Sequence, residues 1–266
     1  MPELPEVESL QRELAKAITG KKIAEAVIYS PRVIREPSVA VFKKQISGAV
    51  IRRVVRRAKL LVIELSNGKA LTIHLKMTGQ LLYPGSKKEA RVSFRFSDES
   101  TLDFCDRRLF GEVRLVDDWR SLAFVKRLGP EPFELDQDRF KQMLRYRKTK
   151  IKPLLMDQSF ISGVGNLYAA EALFRARIHP ARPAQSLTDK EASLLFKELT
   201  RTLTAAIEHK GSSVDQYVRL SGKPGGYVKY HKVYDRAGKP CFTCGTPIQR
   251  SSLGGRGTYF CPRCQK

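Results

Sequence analysis

Four cysteines close the chain in the pattern C-x2-C, sixteen residues, C-x2-C: Cys241, Cys244, Cys261 and Cys264. Each CxxC turn can present two thiolates on one side of a tight loop, and two such turns complete the tetrahedron that zinc prefers. The competing reading is a pair of disulfides, which a cytoplasmic chain rarely keeps. Between the two pairs lie Arg250 and Arg256, and no acid follows Cys241. A basic hairpin pinned by metal suits a DNA backbone or groove. The plainer alternative is a zinc staple that only stabilises the C-terminus. The fifth cysteine, Cys105, lies in a strand-like segment where burial is expected rather than ligation.

Two further stretches have residue types suited to chemistry. GVGNLYAAEALF sets Gly163 and Gly165 before a helix, with Asn166 expected at its cap. Glycine allows close backbone approach, and free N–H groups at a helix start favour phosphate. An ordinary corner between helices explains the stretch equally well, because neither a P-loop nor a dinucleotide fingerprint is present. The opening, MPELPEVESL, crowds two prolines and three glutamates into eight residues. Pro near a helix start and acids in its first turn account for it as helix initiation alone.

These residues need elements to hold them. Leu4, Val7, Leu10, Leu14 and Ile18 repeat at helical spacing and stop at Gly20. To about residue 127 the signals are then mostly β. AKLLVIEL and KALTIHLKM flank Asn67-Gly68, which predicts a two-residue hairpin turn. RVSFRF and TLDF flank SDES as a second hairpin, and GEVRLV is a further strand. This pattern predicts a β-sandwich or flattened barrel with the first helix beside it. The proline-rich, acidic stretch LGPEPFELDQD reads as a linker, and helical segments follow. The longest helix is expected to take Ser186 or Asp189 as its N-cap and to close at Gly211.

Charge narrows the function. The 266 residues, length for about two domains, carry 49 Lys and Arg against 27 acids, a net +22. Such a surplus calls for a polyanion: nucleic acid first, an anionic membrane surface second. No basic amphipathic helix supports the membrane. Basic residues cluster at Arg52, Arg53, Arg56, Arg57 and Lys59, and again at Arg145, Arg147, Lys148, Lys150 and Lys152. One such cluster is usually a solvated face; several favour a phosphate-binding groove. No apolar run approaches the ~20 residues of a membrane span. The N-terminus lacks the basic start and apolar core of a signal peptide. A cytoplasmic protein is expected.

The pieces in this order resemble the Fpg/Nei family, and within it formamidopyrimidine-DNA glycosylase (Fpg, or MutM). MPELPEVE, HLKMTG, LGPEP, IKPLLMDQ, GVGNLYAAEALF, IHP and GRGTYFCPRCQ carry the likeness over essentially the whole chain. The resemblance implies an α+β chain. Residues 1–127 would form a catalytic β-sandwich with a flanking helix, 128–137 a linker, and 138–221 a helical helix–two-turns–helix (H2TH) module. Residues 222–266 would form a glycine-rich loop and a zinc-finger hairpin with one structural zinc. The implied partner is damaged double-stranded DNA, bound between the N-terminal domain and the rest by a monomer. The implied place is the bacterial cytoplasm, at the nucleoid.

The resemblance also gives the opening a chemical meaning. With Met1 removed, Pro2 would be a free secondary amine. An α-amino group has a pKa roughly 2.5 units below that of lysine, so its neutral, nucleophilic fraction near pH 7 is far larger. Attack at C1′ of a damaged nucleotide gives an iminium, which permits β,δ-elimination. By the same resemblance Glu3 would move protons, Glu6 would hold the terminus, and Lys59 would contact phosphate and damaged base. Met77, Arg108 and Phe110 would fill the space left by the extruded nucleotide. His74, Lys150, Asn166, Tyr234 and Arg256 would contact phosphates. The expected activity is a DNA-formamidopyrimidine glycosylase and DNA-(apurinic or apyrimidinic site) lyase acting on oxidised purines such as 8-oxoguanine. The alternatives are an endonuclease VIII-like preference for oxidised pyrimidines, or a non-catalytic zinc protein that binds damaged DNA. Three departures from the family pattern stand out: PGSKKEARVSF lacks a common histidine-containing stretch, Leu109 replaces a common basic residue, and VYDR stands for VYGR.

Overall fold

The computed structural model describes residues 1–85, 89–214 and 216–266. Their contacts group them into two compact units. One is Met1–Lys126 with Ile207–Val228; the other is Arg127–Ala206 with Lys229–Lys266. No helix among the described residues is long and apolar enough to cross a membrane. The histidine-lacking stretch falls partly on residues 86–88, outside those described.

The first unit opens with α1 (Leu4–Ile18), whose five periodic apolar residues are all buried. Glu3 and Glu6 exchange side-chain and backbone bonds across its first turn as a capping box. Gly20, at φ +85°, turns the chain away. Next come β1 (Ile23–Ile28), β2 (Ile34–Glu36), α2 (Val39–Ile46), β3 (Ile51–Arg57), β4 (Leu60–Leu65) and β5 (Ala70–His74). β6 (Gly79–Leu82), β7 (Ala90–Phe96), β8 (Thr101–Asp106) and β9 (Glu112–Val116) complete the strands of this unit. They form a five-stranded sheet, β2-β9-β5-β4-β3, and a four-stranded sheet, β1-β7-β8-β6. Leu61, Ile63, Ile73 and Val113 of the first sheet share one core with Val92, Phe94, Leu102 and Phe104 of the second, and with Leu10 and Leu14. The expected sandwich and flanking helix are therefore present. The Asn67-Gly68 turn is longer than predicted: β4 ends at Leu65 and β5 begins at Ala70, and the Lys69 N–H bonds the Asn67 side chain.

The second unit contains α3's successors. After α3 (Ala123–Lys126), which ends the first stretch, come α4 (Gln137–Leu144), α5 (Ile151–Met156), α6 (Asn166–Arg175) and α7 (Asp189–Glu208). Phe140 of α4 packs on Phe196 of α7 at 5.2 Å between ring centres. The cap of α7 is Thr188, not Ser186 or Asp189. Its hydroxyl accepts from the Glu191 N–H at 3.3 Å, and the Glu191 carboxylate accepts from the Thr188 N–H at 2.8 Å. Ser186 sits in a separate short turn. The hairpin of β10 (Gln249–Leu253) and β11 (Arg256–Phe260) closes the unit.

Candidate functional site

Chain ends usually fray, but here Pro2, Glu3 and Glu6 are buried. The Glu3 N–H donates to Glu6 Oε2 at 2.8 Å, and Glu6 Oε1 accepts from the Ser212 N–H at 2.9 Å. One α1 carboxylate thus ties the helix start to a segment 206 residues away. Gly211 permits this approach. Its φ is +78°, and a Cβ there would lie 2.9 Å from Glu6 Cγ and Oε1. Farther along α1, Glu13 accepts from Arg219 Nε at 2.8 Å and from the Leu220 N–H at 3.0 Å.

Lys59 lies in the two-residue connection between β3 and β4 and is buried. Ala58 before it is left-handed at φ 50°, which an alanine adopts only at some cost. Arg56 braces that turn, donating to the Ala58 carbonyl at 2.9 Å while its Nε meets Glu8 of α1 at 2.8 Å. Burial pushes the Glu8 carboxyl up, but Arg56 and Arg12 outweigh it and hold its pKa below the usual range. His74 ends β5 opposite Leu60. Burial, followed by the charge of Lys76, drives its pKa down to about 3, and Lys59 and Arg114 add to the push. It is therefore neutral, and its Nδ1 accepts from the Lys76 N–H at 3.0 Å. Nε2 is left as the donor.

Met77 and Phe110 are exposed at 41% and 43%. Neither is core, although Met77 read from its residue type alone would be. Arg108 lies between them, with its Nη1 3.4 Å from the Met77 sulfur and its guanidinium 4.6 Å from the Phe110 ring centre. Asp106, almost fully buried, organises this group. One carboxylate oxygen accepts from Thr78 Oγ1 at 2.5 Å and the Arg108 N–H at 3.1 Å; the other accepts from the Gly111 N–H at 2.6 Å. Leu109, at φ 56°, packs toward the core. That departure from the family pattern is a packing feature.

In the second unit, the cap of α6 is Gly165, not Asn166 as expected, so the helix begins one residue earlier, with Asn166 as its first residue. Asn166 Oδ1 accepts from Lys152 Nζ at 2.5 Å. Lys152 is 1% exposed and also donates to Thr258 Oγ1 at 2.9 Å and to the Gly257 carbonyl at 3.3 Å. This lysine joins α5, the start of α6 and β11 instead of lying on a solvated face. Lys150 and Arg256 are exposed. Tyr234 is half-buried, its ring 5.3 Å from that of Tyr259. The buried Glu171 carboxylate accepts the N–H groups of Lys232, Val233 and Tyr234. Asp235 is left-handed at φ 57°, a region that Asp tolerates better than most residues and where the family's glycine is natural.

Cys241 and Cys264 sulfurs are 3.9 Å apart, Cys244 and Cys261 sulfurs 3.5 Å, and all four lie within 4.8 Å of one another. Tetrahedral zinc with Zn–S of about 2.3 Å sets neighbouring sulfurs about 3.8 Å apart. The set fits one structural zinc, with no ligand position left for catalysis. Disulfides would require sulfurs at about 2.05 Å. Cys105 is buried in β8, apart from the cluster.

Neither Asp106 nor Glu13 stands out in the sequence, and Lys152 appears there only as one member of a basic cluster. The Asp two residues before Arg108 in DRRLFG could have signalled a side-chain turn. Nothing local marked Lys152 as buried.

Three family models match in chain order. The formamidopyrimidine-DNA glycosylase N-terminal domain matches residues 1–113, its H2TH domain matches 128–218, and a zinc finger found in FPG and IleRS matches 238–266. A formamidopyrimidine-DNA glycosylase from Pelotomaculum thermopropionicum is 44% identical over all of this chain and 99% of its own length. Among solved structures, MutM (Fpg) from Thermus thermophilus is similar at TM-score 0.90 and 39% identity, covering 99% of this chain and 98% of its own. A Lactococcus lactis FPG mutant in complex with Fapy-dG-containing DNA is similar at TM-score 0.92 and 34% identity, with both chains covered fully.

Proposed function

We propose that this chain, which belongs to the formamidopyrimidine-DNA glycosylase family, is a base-excision DNA glycosylase and AP lyase. Its substrates are oxidised purines, 8-oxoguanine and formamidopyrimidines, in double-stranded DNA. The observation that carries this reading is the buried start of the chain, Pro2, Glu3 and Glu6, in which Glu3 and Glu6 are hydrogen-bonded. A merely structural helix start needs no such enclosure.

After removal of Met1, the Pro2 nitrogen lone pair attacks C1′. The bond from C1′ to the base breaks, and the base leaves with that electron pair and takes up the proton that the attacking nitrogen gives up. Glu3 delivers a proton to the ring oxygen, and the sugar opens to an iminium. The cation acidifies C2′. Loss of that proton expels the 3′ phosphate, a second elimination expels the 5′ phosphate, and water releases the enzyme. Glu6 anchors the terminus through Ser212. Lys59, in its braced turn, meets phosphate and damaged base.

Neutral His74 donates from Nε2 to a phosphate. Asn166, its oxygen engaged by Lys152, has its amide N–H groups for another phosphate. Lys150, Tyr234 and Arg256 add further backbone contacts. Met77, Arg108 and Phe110 occupy the duplex where the nucleotide was extruded: a flexible thioether, a cation facing the orphaned base, and an aromatic wedge. Zinc holds the hairpin that carries Arg256. The protein acts as a monomer in the cytoplasm, on nucleoid DNA, with the sandwich, linker, H2TH module and zinc finger as its working parts.

Borohydride trapping on 8-oxoguanine and abasic duplexes tests the chemistry. Peptide mapping should place the adduct on Pro2. An adduct on Lys59, or none with active protein, overturns the mechanism. A panel of oxidised-pyrimidine duplexes tests the lesion class.

A further inference from the structure

The basic cluster of Arg145, Arg147, Lys148 and Lys150 surrounds an aromatic residue that the proposed chemistry leaves unused. Tyr146 is 88% exposed, about twice as much as Met77 or Phe110, and no large apolar side chain among the described residues is more exposed. We propose that Tyr146 and its flanking cations bind single-stranded DNA. The ring stacks on an unpaired base, and Arg145 and Lys148 meet the phosphates beside it.

The loop that carries the ring is pinned. The Arg147 N–H donates to the Leu144 carbonyl at 3.0 Å. From the facing segment, the Gln185 and Ala184 N–H groups donate to the Arg147 and Thr149 carbonyls at 3.0 and 2.9 Å, and the Ile151 N–H donates back to the Arg182 carbonyl at 2.8 Å. Beneath it, the Arg147 guanidinium lies 5.8 Å from the centre of the buried Phe160 ring. A ring held out on a fixed backbone loses little freedom when a partner stacks on it. The surroundings are basic as well. Arg145, Arg147, Lys148 and Lys150 are all exposed. No acid occurs between Asp138, which pairs with Lys141, and Asp157, and the facing residues 177–188 contain none. Charge therefore selects a polyanion, and the ring selects among polyanions. Duplex bases stack on one another and offer phosphates and edges, which cations alone can engage. A protruding aromatic ring gains only where a base face is free, and cations beside such rings are how proteins hold single strands. A plainer account makes Tyr146 an ordinary surface residue, since exposed apolar side chains are common singly. That explains the exposure, but not a pinned loop that sets the ring among four cations without an acid.

The test uses full-length, zinc-loaded protein and fluorescence anisotropy at matched salt. The probes are a labelled oligothymidylate and an undamaged duplex of equal length. Tyr146→Ala should weaken oligothymidylate binding at least about fivefold, and Tyr146→Phe, which keeps the ring, should stay within twofold of wild type. Both variants should bind the duplex within twofold of wild type. Because stacking releases no counterions, Tyr146→Ala should leave the salt slope of oligothymidylate binding unchanged, whereas Lys148→Gln should reduce it by about 0.7. Trp119 is the only native tryptophan, so wild type serves as the blank for Tyr146→Trp, whose added emission should be quenched as oligothymidylate saturates. The proposal fails if Tyr146→Ala weakens oligothymidylate binding less than fivefold, if duplex binding falls equally, or if the added emission is not quenched. None of these readouts depends on a lesion or on glycosylase activity, so the site and the proposed chemistry can fail separately.

Discussion

Asp106→Asn perturbs one atom and tests how the exposed trio is held. The wild-type carboxylate accepts three bonds, at 2.5 Å from Thr78, 3.1 Å from the Arg108 N–H and 2.6 Å from the Gly111 N–H. An asparagine keeps the shape but must turn its NH2 toward one of these donors. At least one bond to a charged acceptor is lost, worth about 1.5–3 kcal/mol, and a buried donor is left facing another donor, at about 1–3 kcal/mol. Partial relaxation brings the expected loss to about 2–4 kcal/mol, read as a lower urea midpoint of the N-terminal unit. The loops bearing Met77, Arg108 and Phe110 would then lose their fixed spacing. Extrusion of a paired nucleotide costs a few kcal/mol, and an abasic site avoids much of that cost. Single-turnover excision of 8-oxoguanine should therefore fall about 10- to 100-fold, while lyase activity on a preformed abasic site falls far less. Thr78→Val removes a single donor and should show a smaller version of both effects. A stability change below about 1 kcal/mol with normal rates would refute the organising role of Asp106. Equal loss of both activities would refute the wedge role of the trio.

Other perturbations act elsewhere. Cys244→Ser should release zinc, collapse the hairpin carrying Arg256 and weaken duplex binding while the N-terminal sandwich stays folded; fully bound DNA without metal, by metal analysis and fluorescence anisotropy, would contradict this. Lys152→Met removes the donor shared by Asn166 and Thr258, so duplex affinity should drop at least about fivefold with zinc content unchanged. Unaltered affinity at matched salt would show that Asn166 needs no such support. His74, with a pKa near 3 in the folded chain against 6.5 ordinarily, should remain neutral from pH 8 to 5 by NMR. The unfolded chain takes up this proton first, so the stability it contributes is present above pH 6.5 and is lost as pH falls toward 3. His74→Gln should flatten that acid limb, and a titration of His74 near pH 6.5 would disprove the lowered pKa.

Features settled within a few residues could be read from sequence: the paired CxxC turns, the α1 apolar stripe ending at Gly20, the hairpins and the helical segments. Backbone geometry and side-chain period decide these locally. The resemblance to one enzyme family rests on the same local motifs. Partners distant in the chain were decided only by tertiary structure. Arg56 and Lys152 read as members of basic clusters, yet one braces the turn before Lys59 against Glu8 and the other is buried between Asn166 and Thr258. Glu6 read as a helix-start acid, and only folding brings it the Ser212 N–H. Leu109 follows two arginines and precedes the exposed Phe110, but its left-handed backbone turns it toward the core. Residue type sets what a group can donate, accept or bury; which partner it meets depends on packing across hundreds of residues, and no local pattern encodes that.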